Sequence, residues 1–185
     1  MTRIDTALPG VFLLEPKTFA DSRGHFFESY RKDVLAAVGI VREFVQDNQS
    51  FSLRGVLRGL HYQLGRPQAK LIRVVSGEVF DVAVDLRKGS ATFGKWAGEV
   101  LSAANRRIMF VPEGFAHGFL VLSDSAEVLY KASDVYAPAE ERGLRWDSPE
   151  VGVAWPLRGA APLLAPRDAA YPTLSQLPDR DLPRG

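Results

Sequence analysis

Three residues of the chain have side chains that could together move a proton: His61, Lys70 and Tyr130. An imidazole has an ordinary pKa of about 6.5, so His61 could accept a proton at neutral pH. A neutral phenol could donate one, and an ammonium could stabilise an oxyanion. Lys70 shares strand parity with Ile72 and Val74, which predicts an inward side chain, and an inward lysine needs an anionic or functional reason. These residue types therefore indicate acid–base chemistry in a pocket.

Short β-strands are the elements that would position these side chains. Residues 79–86 alternate between two faces, and Gly- or Pro-containing turns separate the strand-like runs. Residues 32–38 carry helix formers and are followed by Gly39, which favours a short helix. Since no linker or repeat divides the chain, we expect one domain over residues 1–185, with a loose proline-rich tail from about residue 176. Further strand-like runs lie at residues 71–75, 107–111, 119–122 and 127–132.

Composition narrows the class of protein. The chain has 185 residues, of which 46% are hydrophobic, and 23 basic against 22 acidic residues give a net charge of +1. This balance predicts no nucleic-acid partner. The absence of cysteine excludes disulfides and thiolate nucleophiles and is typical of a reducing compartment. The apolar run at residues 11–14 is too short for a signal peptide or a membrane span, so we expect a cytoplasmic protein without a membrane partner.

Two stretches, GLHYQ at 59–63 and PEGFAH at 112–117, resemble the two motifs of the cupin family of β-barrels. Gln63 replaces the second histidine of the family's H-x-H pair, and Lys70 stands seven residues before Gly77, at the place of its glutamate. An ammonium repels a divalent cation, whose ligands must be anionic or neutral. The resemblance therefore implies an all-β, cupin-type jelly-roll barrel or sandwich with a few short helices, and a pocket with no metal and no cofactor.

Ten motifs in a fixed order carry a closer resemblance, from about residue 12 to residue 172. They are FADSRGHFFE at 19–28, QDN at 46–48, VLRGLHYQ at 56–63, Lys70, GEVFDV at 77–82, TFGKW at 92–96, GFAHGF at 114–119, YK at 130–131, EERG at 140–143 and RD at 167–168. In these motifs the chain resembles the dTDP-4-dehydrorhamnose 3,5-epimerase family, whose members act on dTDP-linked 4-keto-6-deoxy sugars.

This resemblance implies a catalytic group. The C–H bonds at C3 and C5 of such a sugar are both next to the C4 ketone, so each can be enolised. His61 matches the base, and Asp168 matches the carboxylate that fixes its tautomer. Tyr130 matches the acid on the opposite face, and Lys70 matches the cation for the enolate oxygen.

The resemblance also implies substrate-binding residues and a homodimer. In the family an N-terminal strand pairs across the dimer interface, so that Arg23 and Glu28 would serve the neighbouring site. Arg58 and His61 have opposite parity on an ideal strand, and both can face the pocket only if a bulge forms at Gly59. The residues matched to nucleotide or sugar contacts are Arg23, Glu28, Gln46, Asn48, Arg58, His117, Glu141 and Arg167, the last of which stands where a lysine is common.

Alternatives remain open at this point. A mono-epimerase acting at C3 or C5 alone, in another deoxysugar pathway, would carry the same catalytic residues. A non-enzymatic sugar-binding cupin would have no reason to keep an inward lysine beside a histidine and a tyrosine. His61, Tyr130 and His117 could each be ordinary core residues, and Lys70 could be a surface lysine.

Overall fold

The computed structural model describes residues 1–184 and consists mainly of short strands. Two α-helices are α1 (Lys32–Ala37) and α2 (Pro166–Ala169), and three single 3-10 turns cover Pro138–Glu140, Leu174–Gln176 and Asp179–Asp181. The strands are β1 (Thr2–Asp5), β2 (Phe12–Glu15), β3 (Thr18–Asp21), β4 (Gly24–Phe27), β5 (Gln46–Leu53), β6 (Leu57–Gln63), β7 (Lys70–Ser76), β8 (Glu78–Asp85), β9 (Trp96–Ser102), β10 (Ile108–Val111), β11 (Phe115–Val121), β12 (Ser125–Ala132) and β13 (Glu141–Gly143).

Two antiparallel sheets face each other. The larger sheet has the order β1-β2-β10-β7-β12-β5, the smaller has β13-β6-β11-β8-β9, and β3 and β4 form a separate hairpin. Sequential strands such as β6 and β7 lie in different sheets, which is the connectivity of a jelly roll. The predicted all-β, cupin-type architecture with few short helices is confirmed.

The apolar core lies mainly between the two sheets. Ile72 and Val128 of the larger sheet pack with Val79 and Phe119 of the smaller one, and all four side chains are less than 5% exposed. Fully burying an aliphatic or aromatic side chain of this kind contributes roughly 1.5–3 kcal/mol. The predicted alternation of residues 79–86 is present, and β8 is buried on both faces because the chain from Leu144 onward covers its outer side.

A β-bulge at Gly59 interrupts β6. His117 of β11 pairs with His61, yet Phe119 pairs with Arg58, so β6 has one residue more than β11 over this interval. Gly59 has a φ of +109°, and a Cβ there would lie 2.6 Å from the carbonyl oxygen of His117. Only glycine fits this position without a clash. The bulge that Arg58 and His61 require is therefore present.

The C-terminal tail is docked rather than loose, contrary to the sequence expectation. The Tyr62 hydroxyl donates to the carbonyl oxygen of Asp181 at 2.7 Å, and the Lys88 amide donates to the carbonyl oxygen of Pro183 at 2.8 Å. Leu177 packs against the outer core of the smaller sheet. Prolines fix backbone angles in the tail but do not prevent it from packing on a sheet. Local composition does not predict these contacts, because they are made with residues distant in the sequence.

The predicted helix at residues 32–38 is confirmed as α1, which ends at Ala37 before a glycine with a φ of +96°. Within residues 1–184, no helix is both long and apolar enough to cross a membrane.

Candidate active site

A cavity of about 400 Å³ opens between the two sheets. It contains ten of the twelve residues predicted for the site, contributed by β5, β6, β7, β11, β12, β13 and α2. Its lining consists of Gln46, Asn48, Ser50, Arg58, His61, Gln68, Lys70, His117, Gly118, Phe119, Tyr130, Tyr136, Glu141, Ala165, Arg167 and Asp168.

His61 and Asp168 form a hydrogen-bonded pair at the edge of this cavity. The distance from His61 Nε2 to Asp168 Oδ1 is 2.8 Å, and the Gly59 amide donates to Asp168 Oδ2 at 3.1 Å. Burial raises the pKa of Asp168, but the bonds from His61 and Gly59 outweigh it and hold the pKa below its ordinary value. The carboxylate is thus ionised at neutral pH and accepts from Nε2–H, which leaves the Nδ1 lone pair free to accept a proton.

Lys70 is the buried cation of the site. Lys70 is 9% exposed, and its Nζ lies 6.0 Å from the centroid of the Tyr130 ring. Loss of hydration lowers the pKa of Lys70 to about 8, while the charges of Asp81 and Glu141 act in the opposite direction. The ammonium is therefore still charged at neutral pH and poorly solvated, which strengthens its interaction with a developing oxyanion.

Tyr130 lies across the cavity from His61, since β12 belongs to the larger sheet and β6 to the smaller. Burial raises the pKa of Tyr130, and the charge of Glu141 raises it further, against a smaller opposing effect from Arg58. The phenol is therefore a neutral proton donor at physiological pH.

A polar group formed around Glu141 lines the cavity near α2. Arg167 donates two hydrogen bonds to the Glu141 carboxylate, at 2.5 Å and 3.1 Å, and the Tyr136 hydroxyl donates to it at 2.7 Å. The Tyr136 amide donates to Gln46 Oε1 at 2.7 Å, and Gln46 Nε2 donates to Asn48 Oδ1 at 2.9 Å. A single network thus connects five polar residues of the cavity.

A second histidine–carboxylate pair lies deeper in the barrel. His117 Nε2 is 2.9 Å and 3.1 Å from the two oxygens of Asp81, a residue with no exposed surface. His117 pairs directly with His61 across β11 and β6, so both rings reach the same cavity. Arg58 is held toward the cavity by a hydrogen bond from its Nε to Ser52 Oγ at 2.9 Å.

Arg23 and Glu28 do not reach this cavity. Arg23 lies at the turn of the β3–β4 hairpin with its side chain 88% exposed and bonded to Asp21, while Glu28 follows β4 and is paired with Arg31. Within one chain, Arg23 and Glu28 therefore cannot contact a substrate bound in this cavity.

Sequence reasoning gave no role to several residues of the site. The alternation of residues 79–86 does not reveal the pairing of Asp81 with His117, because that pairing depends on a neighbouring strand. Tyr136 and Gln68 lie in connections, where strand periodicity carries no information. Ser50 shares strand parity with Asn48, which could have revealed it, and its Oγ has no hydrogen-bond partner in the described chain. A bound ligand would give this hydroxyl a partner.

The donor set does not resemble a metal centre. Within residues 1–184 no group of three or more His, Asp or Glu side chains is arranged to hold a metal ion. Gln63, at the place of a cupin ligand, donates to the carbonyl oxygen of Arg66 at 2.7 Å and accepts from the Ala137 amide at 2.8 Å. The Gln63 side chain thus holds the loop after β6 and the loop after β12. Independence from metals and cofactors stays a prediction.

The fold and site together define a cupin-type barrel that carries acid–base residues and an ammonium where a metal-binding relative would have metal ligands. The family model described as dTDP-4-dehydrorhamnose 3,5-epimerase matches residues 5–176, and the chain belongs to that family.

Individual relatives agree with this membership. The chain is 57% identical over 176 residues to dTDP-4-dehydrorhamnose 3,5-epimerase of Neisseria gonorrhoeae; the match covers 95% of this chain and about half (53%) of that relative. The crystal structure of dTDP-6-deoxy-D-glucose-3,5-epimerase from Legionella pneumophila with dTDP-4-keto-L-rhamnose has a TM-score of 0.96 and 46% identity, covering 100% of this chain and 98% of that one. A 3'-monoepimerase from Streptomyces bikiniensis with dTDP-quinovose has a TM-score of 0.89 and 35% identity, covering 96% and 91%.

Replacing Lys70 by methionine should stabilise the protein. In the folded protein the pKa of Lys70 is lowered to about 8 from an ordinary 10.5, so the unfolded chain binds this proton more tightly than the folded one. The charged lysine therefore lowers the free energy of unfolding. The cost is full below pH 8 and is relieved as the pH rises from about 8 to 10.5. Urea unfolding should therefore show Lys70→Met more stable at pH 7 by up to about 3 kcal/mol, with the difference shrinking above pH 8.

Lys131→Met is the matched control, because Lys131 lies on the same strand pair but faces outward and bonds Asp47. It should give no stabilisation. A Lys70→Met protein that is less stable than the wild type at every pH would contradict the description of Lys70 as a desolvated cation.

Proposed function

We propose that this protein epimerises dTDP-4-dehydro-6-deoxy-D-glucose at C3 and C5, giving dTDP-4-dehydro-L-rhamnose for rhamnose biosynthesis. Family membership and the similarity to a 3,5-epimerase structure over its whole length support this function. The observation that carries the proposal is geometric. A histidine–carboxylate pair and a neutral phenol approach one cavity from opposite sheets, with a buried ammonium beside the phenol.

The chemistry begins with proton abstraction. His61 Nδ1 removes the proton from a carbon next to the ketone, and the bonding electrons form an enolate whose negative charge is on the C4 oxygen. Asp168 keeps the imidazole in the required tautomer and stabilises the imidazolium that results. A carboxylate in such a position is worth up to about 10⁴-fold in rate, as known for the serine-protease triad.

The enolate needs a cation, and Lys70 supplies it. The Lys70 ammonium interacts with the C4 oxygen, and this oxygen is the same whether C3 or C5 is being inverted. One lysine can therefore serve both half-reactions. Removal of an oxyanion donor costs about 10²–10³-fold in kcat, so Lys70→Met, though more stable, should be strongly impaired.

Inversion is completed from the opposite face. Tyr130 donates its phenolic proton to the enolate carbon, which reverses the configuration at that carbon. The His61 imidazolium then releases its proton to solvent and the Tyr130 phenolate regains one, so that both groups are reset before the second carbon is inverted. A carbon reprotonated by His61 itself would instead regain its original configuration. The opposite-sheet placement of the two side chains is thus what makes the reaction an epimerisation.

The remaining predicted residues bind the rest of the substrate. Guanidinium groups suit the diphosphate because they form bidentate, charge-assisted hydrogen bonds, and Arg58 and Arg167 both line the cavity. Gln46 and Asn48 belong to the network that continues through Glu141, and they suit nucleotide or sugar hydroxyl contacts. His117, held by Asp81, suits the sugar.

We also propose that the protein is a homodimer in which the β3–β4 hairpin completes the partner's site. The hairpin exposes Phe19 at 55% and Phe26 at 70% of their surface, together with the Arg23 guanidinium. Apolar side chains at such exposure favour a binding partner. Assembly through the hairpin would bring Arg23 and Glu28 to a cavity that they do not reach in their own chain.

Turnover in D2O tests the reaction directly. A double epimerase exchanges both carbon-bound protons, so NMR of the product should show deuterium at C3 and at C5, with one site labelled before the other. Label confined to one carbon after long incubation with excess enzyme would make this protein a mono-epimerase, the activity of the Streptomyces bikiniensis relative. The same D2O assay with no label at either carbon would refute the proposal.

The roles of the acid and the base can be separated by exchange. His61→Asn should abolish deuterium incorporation at both carbons, because no enolate forms without the base. Tyr130→Phe should still wash deuterium into the substrate while slowing formation of the inverted product by at least about 10²-fold. Wild-type exchange in His61→Asn would place the base elsewhere.

Mixed dimers test the exchange of hairpins. Arg23→Ala and His61→Asn should each be inactive alone, the first through loss of substrate binding. If Arg23 serves the partner's site, unfolding and refolding the two variants together restores activity, since one cavity of each mixed dimer then has both residues. Mixing that restores nothing, with mixed dimers verified by mass spectrometry, would show that Arg23 does not act across the interface.

A further inference from the structure

The tail beyond the family match makes a specific contact with the strands that form the cavity. The family model ends at residue 176, whereas the chain continues along the outer side of the smaller sheet through a 3-10 turn at Asp179–Asp181. This stretch therefore lies beyond the residues that the family model matches.

Asp181 binds two neighbouring strands at once. Its carbonyl oxygen accepts from the Tyr62 hydroxyl of β6 at 2.7 Å, and its carboxylate accepts from Arg142 Nε of β13 at 3.0 Å. Tyr62 and Arg142 are direct partners in the β6–β13 register. The Asp181 side chain is only 19% exposed, so its ion pair with Arg142 is partly protected from water and salt.

The strand that Asp181 contacts is the shortest of its sheet. β13 has three residues and lies at the sheet edge, so it is bonded to a neighbouring strand on one side only. Alternation along the strand places Glu141 on the cavity face, next to the outward-facing Arg142. Arg142 also donates to the carbonyl oxygens of Ala139 and Glu141 at 2.9 Å, which connects its guanidinium to the backbone on which the Glu141 side chain stands.

We propose that Asp181 is a positioning residue for the active site, acting through Arg142 to fix Glu141 and with it the orientation of Arg167. Glu141 is bonded to Arg167 and Tyr136 inside the cavity, so any movement of β13 changes the position of the guanidinium that would meet the diphosphate. The proposal rests on the proposed function for the identity of the ligand.

The affinity for dTDP, measured by calorimetry, is the first readout. Asp181→Ala should raise the Kd for dTDP about 3- to 10-fold and raise KM similarly, while kcat changes less than about twofold, because the His61–Asp168 pair and Lys70 stand on other elements. Asp181→Ala and Asp181→Asn both keep the backbone carbonyl that accepts from Tyr62. Asp181→Asn also keeps the side-chain volume and an acceptor oxygen for Arg142 but not the charge, and should give an intermediate effect. Asp179→Ala, which removes a tail carboxylate paired with the exposed Lys88, is the control and should match the wild type.

A double-mutant cycle with Glu141→Gln distinguishes positioning from general stability. If Asp181 acts through Glu141, Asp181→Ala should weaken dTDP binding in the wild type but add little in the Glu141→Gln background. Equal effects in both backgrounds, or an unchanged Kd in Asp181→Ala, would overturn the proposal.

Hydrogen exchange provides a readout that does not depend on the ligand. The amides of β13 should exchange faster in Asp181→Ala than in the Asp179→Ala control, and unchanged protection of β13 would also overturn the proposal. A wild-type protein that binds dTDP but epimerises nothing would refute the proposed function alone, because the affinity and exchange comparisons would still stand.

Discussion

The Lys70 ammonium is held between two apolar sheets, and the arrangement of the barrel interior follows from the need to keep it charged. Loss of hydration lowers its pKa to about 8, and the facing carboxylates of Asp81 and Glu141 prevent a further fall. Those carboxylates in turn need donors, which are His117 for the first and Arg167 with Tyr136 for the second. One end of the interior is therefore a connected polar cavity, while residues such as Val74 and Val128 fill the rest.

The proposed catalytic groups differ in how they are held. Lys70 and Tyr130 project from paired strands of the larger sheet, where regular alternation fixes their directions. The direction of the His61 side chain depends in addition on the bulge at Gly59. The bulge changes the register of β6, and the Gly59 amide donates to Asp168. His61, Lys70 and Tyr130 thus stand on strands of seven or eight residues, whereas Glu141 stands on a three-residue edge strand.

Local patterns were enough to predict part of the strands, among them β7, β8, β10 and β12, together with α1, the inward direction of Lys70 and the need for a bulge at Gly59, since each depends on parity or on a turn residue. Asp168 was predicted only by family resemblance, because its bond to a histidine 107 residues away has no local signal. The Asp81–His117 pair and the docking of Asp181 depend on strand neighbours that periodicity does not specify. The predicted role of Arg23 and Glu28 depends on a second copy of the chain, because neither residue reaches the cavity of its own chain.

The charge state of Lys70 can be measured directly. The Cε chemical shift of Lys70, followed by NMR in protein carrying ¹³C-labelled lysine and assigned with Lys70→Met, reports its ionisation. We expect a titration with a pKa of about 8, below the ordinary lysine value of 10.5. A Lys70 that titrates at or above the ordinary lysine value of 10.5 would contradict it, because the ammonium would then be well hydrated or fully paired and not a desolvated cation for an enolate.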